Sequence, residues 1–158
     1  MEFELHGVKF NYEYGNIYRL YHLKKGDEWK ELKISISNRG YTYFNFGKNK
    51  KQYRFSFHRI VYWLHNPDWD IMDSSKDNSI DHIDGDKLNN NIENLRLVTN
   101  QENCFNRTRA KGYYLFKGKW KADITLNSKT IYLGLFDNEL DAHNAYLEAK
   151  KKYHIIKS

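Results

Sequence analysis

The chain has 158 residues, 40% of them apolar, and its 26 lysines and arginines against 20 aspartates and glutamates give it a formal net charge of +6. This length allows one ordinary domain or two to three small ones with a packed core, and the single cysteine excludes an internal disulfide and a zinc site built from paired cysteines. A lone cysteine, no apolar run near the roughly 20 residues that span a bilayer, and a start without signal-peptide features predict an intracellular protein, not secreted and without a membrane partner.

The first 57 residues are typical of short strands separated by glycines. Aromatic and β-branched residues dominate five runs, and several of these runs alternate apolar with polar residues. We therefore predict a small antiparallel sheet with one solvent-exposed face. The five predicted strands are Phe3 to Phe10, Ile17 to Leu23, Glu31 to Ser37, Tyr41 to Phe46 and Gln52 to Phe57.

From residue 58 the spacing of apolar residues becomes helical. His58 to His65 predicts a helix that Asn66-Pro67 ends, because the residue before a proline is disfavoured in helical conformation. After a polar loop, two short strands are predicted at Ile80 to Asp86 and at Leu95 to Val98, with a turn at Gly85.

A helix is predicted to begin directly after the second of these strands. Thr99 is followed three residues later by Glu102, the spacing of a capping box, in which each side chain satisfies a backbone N–H group of the first turn. The helix should therefore start at about Asn100 and carry Asn103 in its first turn.

Residues 107–158 predict a three-stranded sheet backed by one helix. The turns are expected at Gly118 and at Asn127-Ser128. The expected fold class of the whole chain is α+β, with three modules at residues 1–57, 58–106 and 107–158. The predicted elements of the last module are strands at Tyr113 to Phe116, Trp120 to Leu126 and Thr130 to Phe136, and a helix at Asn138 to Tyr153.

Charge is distributed unevenly along the chain. Residues 1–62 carry a net charge of +6, residues 63–106 carry −6 and residues 107–158 carry +6. This pattern would arise if the central carboxylates bind a divalent cation and the basic residues on either side bind phosphates. Chance unevenness would give it too. A metal-dependent enzyme that cleaves phosphodiesters also needs a base near neutral pH, which a neutral histidine supplies.

The central segment resembles a known family. The run Asp81-His82-Ile-Asp-Gly-Asp-Lys-Leu-Asn89, followed by Asn94-Leu-Arg-Leu-Val-Thr99 and by Asn103, is similar to the motif of HNH endonucleases in their zinc-free, phage homing form. His58-Arg59-Ile-Val resembles the segment that precedes the motif. The resemblance implies a ββα-metal fold and an enzyme that hydrolyses DNA in the cytoplasm of a host cell.

The same resemblance implies roles for four residues. His82 would be the general base, Asp81 and Asn103 would bind one Mg²⁺ or Mn²⁺ ion, and Asn94 would brace the loop that orients His82; no structural zinc is expected. Adjacent residues of a regular strand face opposite ways, so Asp81 and His82 can share one site only if the strand end is irregular. The residue types elsewhere have simpler interpretations: a solvated turn for Asp84 and Asp86, a packing role for His58, and a core position for Cys104.

The last 47 residues resemble the plant ethylene-response-factor DNA-binding domain. The similar segments are Gly118 to Ile124, Ile131 to Phe136 and Asp141 to Tyr146. That family lays its sheet in the major groove of DNA, but positions of its base-reading arginines are Tyr114, Thr125 and Thr130 here, so its recognition sequence does not carry over. Trp120 is equally compatible with a core position. The candidate DNA-binding residues are Arg109, Lys111, Lys117, Lys119, Trp120, Lys121, Lys129 and Tyr132.

These observations predict a Mg²⁺-dependent endonuclease that nicks double-stranded DNA, acting as a monomer or as a dimer on DNA. One motif per chain makes a nick the expected product, since a double-strand break requires two active sites or two binding events. The alternatives are a DNA-binding regulator whose HNH module is inactive, and an RNA-binding protein. The second lacks, in the sequence, the exposed aromatic residues of the common RNA-binding modules.

Overall fold

The computed structural model describes residues 1–75, 77–105 and 111–156, and these form twelve strands, three α-helices and one 3-10 helix. The predicted α+β class is confirmed, since the strands form four small sheets. The chain divides into two compact units, one of residues 1–73 and 86–96 and the other of residues 74–85 and 97–158. This division follows compactness alone, and the three-module organisation inferred from sequence stays a prediction.

The first unit contains two antiparallel sheets and one helix. Strands β1 to β4 form a sheet in chain order, and strands β5 to β7 form another. Helix α1 packs on β6 and β7. The elements are β1 (Glu2–Leu5), β2 (Val8–Glu13), β3 (Asn16–Leu23), β4 (Gly26–Glu31), β5 (Ser35–Ile36), β6 (Thr42–Lys48), β7 (Lys51–Ser56) and α1 (Phe57–His65).

Two of the predicted N-terminal strands differ from the observed ones. The run from Phe3 to Phe10 is a hairpin and not one strand, because His6 and Gly7 have φ angles of 52° and 71° that reverse the chain between β1 and β2. The predicted strand from Glu31 to Ser37 is wrong in its first half. Glu31 ends β4, residues 32–34 are not in a strand, and the alternating run on which the prediction depended forms only the two-residue strand β5.

The core of the first unit is largely aromatic. Phe10, Ile17, Phe44 and Ile60 have no exposed side-chain surface. The ring of Phe10 lies 5.9 Å from that of Phe44 and 4.8 Å from that of Phe46, in edge-to-face geometry. Burial of these rings stabilises the two sheets and the apolar stripe of α1 against each other, at roughly 25 cal/mol per Å² of apolar surface.

The second unit contains the remaining sheets and helices. A 3-10 helix at Ile92–Asn94 precedes β9 and belongs to the first unit, as do the first two residues of β9. None of the helices in residues 1–75, 77–105 and 111–156 is long and apolar enough to span a bilayer. The elements that follow α1 are β8 (Ser79–His82), β9 (Leu95–Val98), α2 (Asn100–Phe105), β10 (Tyr113–Phe116), β11 (Lys119–Leu126), β12 (Lys129–Phe136) and α3 (Glu139–Tyr153).

The C-terminal part has the predicted three-stranded sheet with one helix. The strands pair in the order β10, β11, β12, and α3 packs on them through Ile124, Tyr146 and Ala149. The Asn138 side chain caps α3 by accepting a hydrogen bond from the backbone N–H of Asp141 at 2.9 Å. Both predicted turns are present as two-residue hairpin connections.

Candidate active site and nucleic-acid interface

Strand β8 ends at His82 and not at Asp86 as predicted. Its last three residues are all buried, with Asp81 8% and His82 3% exposed. The backbone N–H of Gly85 donates to the carbonyl oxygen of His82 at 3.0 Å, and this turn ends the strand. The pattern of burial shows a strand covered on both faces, so a buried histidine and a buried carboxylate stand next to each other at a strand end.

Helix α2, which carries Asn103, starts in the predicted capping box. The backbone N–H of Thr99 donates to Glu102 Oε2 at 2.9 Å, and the backbone N–H of Glu102 donates to Thr99 Oγ1 at 3.2 Å. The Thr99 hydroxyl also donates to Glu102 Oε2 at 2.9 Å. The reciprocal bonds fix where the helix starts and place the half-buried Asn103 in its first turn, on a helix that packs against β8.

The other end of α2 is held by the C-terminal part of the chain. The buried ring of Phe105 stacks on the His154 ring with a centroid distance of 4.0 Å and an interplanar angle of 9°. His154 Nε2 lies 3.1 Å from the carbonyl oxygen of Thr125 in β11. Six residues form a short helix, so these contacts at both ends are what keep it in place.

Arg59 organises the loop that follows α1. Its guanidinium Nη2 donates to the carbonyl oxygens of Ile71 and Asp73, each at 2.8 Å, and its guanidinium carbon lies 4.6 Å from the Trp69 ring centroid. Burial lowers the pKa of Arg59, and the nearby Asp73 carboxylate opposes that shift. Arg59 thus has a structural role that the sequence did not indicate.

Asn94 stabilises the asparagine-rich loop of the first unit. Its side-chain Nδ2 donates to the carbonyl oxygen of Asn89 at 2.8 Å. Within the same unit Asn90 Nδ2 donates to Thr42 Oγ1 at 2.9 Å, and Lys87 Nζ donates to the carbonyl oxygen of Arg39 at 2.8 Å. The bonds of Asn90 and Lys87 attach the loop to the N-terminal strands, while that of Asn94 lies within the loop. The role of Asn94 in orienting His82 stays a prediction.

The positions of Asp84, Asp86 and His58 agree with the simpler interpretations given to them, whereas Cys104 is less buried than the expected core position. Asp84 and Asp86 are exposed, and Asp86 Oδ1 accepts a hydrogen bond from the backbone N–H of Leu88 at 3.0 Å. His58 is buried at the start of α1, with its ring 5.2 Å from that of Tyr41. Cys104 is half-buried rather than fully buried.

The donors of the predicted metal site fit a hard divalent cation. Asp81 contributes a carboxylate and Asn103 an amide oxygen, from two elements that pack against each other, and Mg²⁺ prefers oxygen ligands while retaining several waters. Within the described part of the chain, no three His, Cys, Asp or Glu residues cluster in a way that could hold a metal. The two oxygen donors would therefore share the ion with water and phosphate rather than enclose it.

The sheet places most candidate DNA-binding lysines in solvent. Lys111, Lys117, Lys119 and Lys129 are exposed, and Lys119 Nζ lies 3.0 Å from an Asp137 carboxylate oxygen. Arg109 lies outside the described residues. These placements are compatible with phosphate contacts, which remain a prediction.

Trp120 and Tyr132 lie on opposite faces of the sheet. Trp120 shares its face with the buried Ala122 and Ile124, and its ring meets that of Tyr113 edge to face at 6.0 Å. Tyr132 points to the other face and is 57% exposed. The structure thus places Trp120 on the side of the helix, where packing accounts for it.

Two aromatic residues on the outer face, Tyr114 and Phe116, were missed by sequence reasoning. They are 45% and 43% exposed, and Lys121 Nζ lies between them and Tyr132. A hydrogen bond to Tyr114 and the charge interaction with the same side chain raise the pKa of Lys121, so this amine is protonated at neutral pH. The alternation of β10 was the signal that could have identified both rings.

Comparison with known proteins identifies the central segment. The family model described as HNH endonuclease matches residues 55–104. Two uncharacterized HNH endonucleases of Acanthamoeba polyphaga mimivirus are similar, one 36% identical over 60% of this chain and 26% of its own length, the other 30% identical over 76% of this chain and 63% of its own length. A prophage-derived protein of Bacillus subtilis (strain 168), named as an HNH homing endonuclease, is 36% identical over 47% of this chain and 40% of its own length.

A solved structure is also similar in part. It belongs to a study of DNA binding and cleavage by the HNH homing endonuclease I-HmuI, with a TM-score of 0.43 and 31% identity over 63% of this chain and 50% of that chain. The present chain spans between 26% and 63% of the length of the named relatives. The match to residues 55–104 covers α1, β8, β9 and most of α2, and these residues are an HNH endonuclease domain.

Proposed function

We propose that the chain is a divalent-metal-dependent DNA endonuclease of the homing or mobile-element kind. The observation that carries the proposal is the HNH endonuclease domain, in which Asp81 and His82 are buried side by side at the end of β8 and a capped helix packs on that strand. Relatives named as viral and prophage HNH endonucleases support the same activity. The proposal includes action inside a host cell, with DNA as the substrate.

In this proposal His82 is the general base. A neutral imidazole accepts a proton from a water molecule as the water oxygen attacks phosphorus. The bond from phosphorus to the leaving oxygen then breaks, and that oxygen takes a proton from solvent. Asn94 acts at a distance by bracing the loop through its bond to Asn89.

Asp81 and Asn103 are the proposed metal-binding residues, with Mg²⁺ or Mn²⁺ as the ion and no structural zinc. A divalent ion supplies positive charge that neutralises the additional negative charge of the phosphorane-like transition state. The protein contributes oxygen donors from two elements that pack together, β8 and α2. The capping box keeps the α2 donor in register with the strand.

The C-terminal sheet is the proposed DNA-binding element. Lys111, Lys117, Lys119 and Lys129 are exposed there, and the sequence of this part resembles the ethylene-response-factor domain. With one HNH domain in the chain, the expected reaction on duplex DNA is a nick by a monomer. A double-strand break would require a dimer on DNA or two binding events.

The test is cleavage of supercoiled plasmid in the presence of Mg²⁺ or Mn²⁺. The natural protein should convert it to the nicked circle, and His82→Ala should not. His22→Ala is the matched control, because this exposed histidine pairs only locally, at 2.8 Å from Asp27. If the natural protein binds plasmid without cutting it in either metal, the alternative function, a DNA-binding regulator with an inactive HNH module, is the better one.

A further inference from the structure

The outer face of the C-terminal sheet, which is the side away from α3, has an aromatic surface. Tyr114 and Phe116 lie two residues apart on β10, and Tyr132 lies on β12. They are 45%, 43% and 57% exposed. Large exposed aromatic residues that share one face are unusual in a protein surface, and they indicate a binding site.

A single lysine occupies the centre of this aromatic surface. Lys121 lies on β11 opposite Tyr114, and its Nζ is 5.6 Å from the ring centroid of Tyr114, 5.9 Å from that of Phe116 and 5.8 Å from that of Tyr132. One ammonium group therefore lies close to all three rings. Single-stranded nucleic acid is bound by this combination of groups, because bases stack on aromatic rings and phosphates are attracted to a nearby cation.

The charge of the sheet indicates an anionic ligand. Residues 111–136 contain five lysines and one aspartate. By the pairing of the strands, the outer face has six further positions besides the three aromatic ones. These positions are Lys119, Lys121, Asp123, Thr125, Thr130 and Leu135.

The outer face contains no arginine, asparagine or glutamine. Those three side chains make many of the bidentate contacts to guanine and adenine in the major groove, so the base-edge contacts open to this face are those of its lysines, threonines and aspartate. Recognition by stacking on base faces, in contrast, needs only aromatic rings. The three exposed rings therefore make stacking the contact that distinguishes this face.

The spacing of the rings favours bases that are not stacked on one another. Side chains two residues apart on a strand are separated by about 6.8 Å, whereas successive bases of a duplex strand are about 3.4 Å apart and cover each other's faces. Rings at twice the duplex spacing can receive neighbouring bases only after these have separated. Tyr114 and Phe116 have this spacing.

We propose that the outer face of β10, β11 and β12 binds an unpaired strand of DNA. Bases stack on Tyr114, Phe116 and Tyr132, and Lys121 with its neighbouring lysines contacts the phosphates. The inference rests on the proposed function only in taking DNA as the nucleic acid. It adds that the sheet holds a single strand, such as one exposed where a duplex has opened.

Binding of the full-length chain to a labelled oligo-dT of about 15 nucleotides, a length within the range of known single-strand sites, tests the proposal. Fluorescence anisotropy in EDTA measures affinity without cleavage. The protein should bind oligo-dT more tightly than a duplex of equal length at the same salt concentration. Tighter binding to the duplex overturns the proposal, and tighter binding to oligo-rU than to oligo-dT overturns its choice of DNA.

Variants of one ring separate stacking from general affinity. Tyr132→Leu should weaken oligo-dT binding about tenfold, because each stacked base contributes on this scale, whereas Tyr132→Phe keeps the ring and should keep most of the affinity. Tyr14→Leu removes an aromatic side chain that is 95% exposed elsewhere and should change nothing. Unchanged binding by both Tyr132→Leu and Phe116→Leu overturns the proposal, provided circular dichroism shows that both remain folded.

The salt dependence tests the role of the central lysine. Lys121→Met should reduce the slope of log K against log salt by about 0.7, the value for one phosphate contact on a single strand. An unchanged slope would remove Lys121 from the site. The binding experiments contain no divalent ion, so they are independent of cleavage. A protein that nicks plasmid but does not bind oligo-dT counts only against the single-strand site. A protein that binds oligo-dT but does not nick plasmid counts only against the endonuclease.

Discussion

Asp81 and His82 are consecutive in the chain, yet their side chains are only 8% and 3% exposed. In a regular strand with one wet face, one of the two would point into solvent. Both are buried because β8 is covered on both faces and ends at His82 in a turn. Burying a carboxylate and an imidazole costs stability unless they have polar partners, which makes the pair a candidate for a functional site.

The first prediction at this scale concerns the base. His82→Ala should lower the rate of plasmid nicking by at least about 10²-fold, the usual size of a general-base contribution, while DNA affinity changes little. Nicking rates and gel-shift affinities measure the two effects separately. Cleavage by His82→Ala at the natural rate would disprove the assignment.

The second prediction concerns the metal. Asp81→Asn should raise the Mg²⁺ concentration needed for half-maximal nicking by about tenfold or more, since an amide is a weaker ligand for a hard cation than a carboxylate. EDTA should stop nicking of the natural protein without changing its thermal unfolding, because two protein donors do not form a closed structural site. An unchanged Mg²⁺ titration in Asp81→Asn would assign the ligand role to another residue, such as Asp84.

At the scale of elements, the contact between the C-terminal strands and α3 depends on a glycine. Gly112 has a φ angle of 63°, and a Cβ atom there would overlap the ring of Tyr146, which is 6% exposed in the core of this part. Gly118 in the turn between β10 and β11 has a similar φ angle of 80°, but a Cβ atom there would meet nothing within 4 Å. Substitutions at these two glycines therefore separate the cost of backbone strain from the cost of steric overlap.

The third prediction follows from this pair. Gly118→Ala should lower the free energy of unfolding by about 1–2 kcal/mol, the cost of a left-handed conformation for a residue with a Cβ atom. Gly112→Ala should lower it by clearly more, since the same strain is joined by overlap with a core ring. Chemical denaturation of both variants provides the comparison. Equal losses would show that Tyr146 moves aside without cost.

In the whole chain an acidic central segment lies between two basic flanks. The segment 63–106 has a net charge of −6, so it repels DNA, whereas residues 1–62 and 107–158 each carry +6. The lysines of the C-terminal sheet are one source of compensating charge. Those at the end of α3 form a second basic group, on the helix and not on the sheet.

The fourth prediction compares these two groups in the full-length chain. Replacing Lys117, Lys119, Lys121 and Lys129 together with glutamine should weaken DNA binding and flatten its salt dependence by about 0.9 per lost phosphate contact on duplex DNA, or about 0.7 on a single strand. The maximal nicking rate at saturating DNA should change little. Replacing Lys150, Lys151 and Lys152 with glutamine is the control and should leave the salt slope almost unchanged.

Equal slopes for the natural protein and the sheet variant would contradict this division of roles. The N-terminal segment, with its equal charge of +6, would then be the better candidate for DNA binding. Thermal unfolding of the variants distinguishes lost contacts from lost folding.

Much of this protein was determined by local sequence patterns. The capping box of Thr99 and Glu102 formed as predicted because its hydrogen bonds join residues three apart. The C-terminal strands, their turns and α3 also agree with the prediction, since alternation, turn residues and helical spacing are all read within one segment. Asp81 and His82 were identified together because they belong to a motif with a fixed order of residues. The family model described as HNH endonuclease matches residues 55–104, which contain that motif.

Tertiary structure decided which faces these elements bury. Nothing local distinguishes Trp120 from Tyr132. Since α3 packs on one face of the sheet, Trp120 on that face is half-buried beside Tyr113, whereas Tyr132 on the other face is 57% exposed with Tyr114 and Phe116 around Lys121. Strand β4 was not predicted for a related reason. Its six residues are all exposed, and it is a strand because it pairs with β3. Burial depends on what packs against a residue from distant parts of the chain, and a sequence pattern records only which residues share a face.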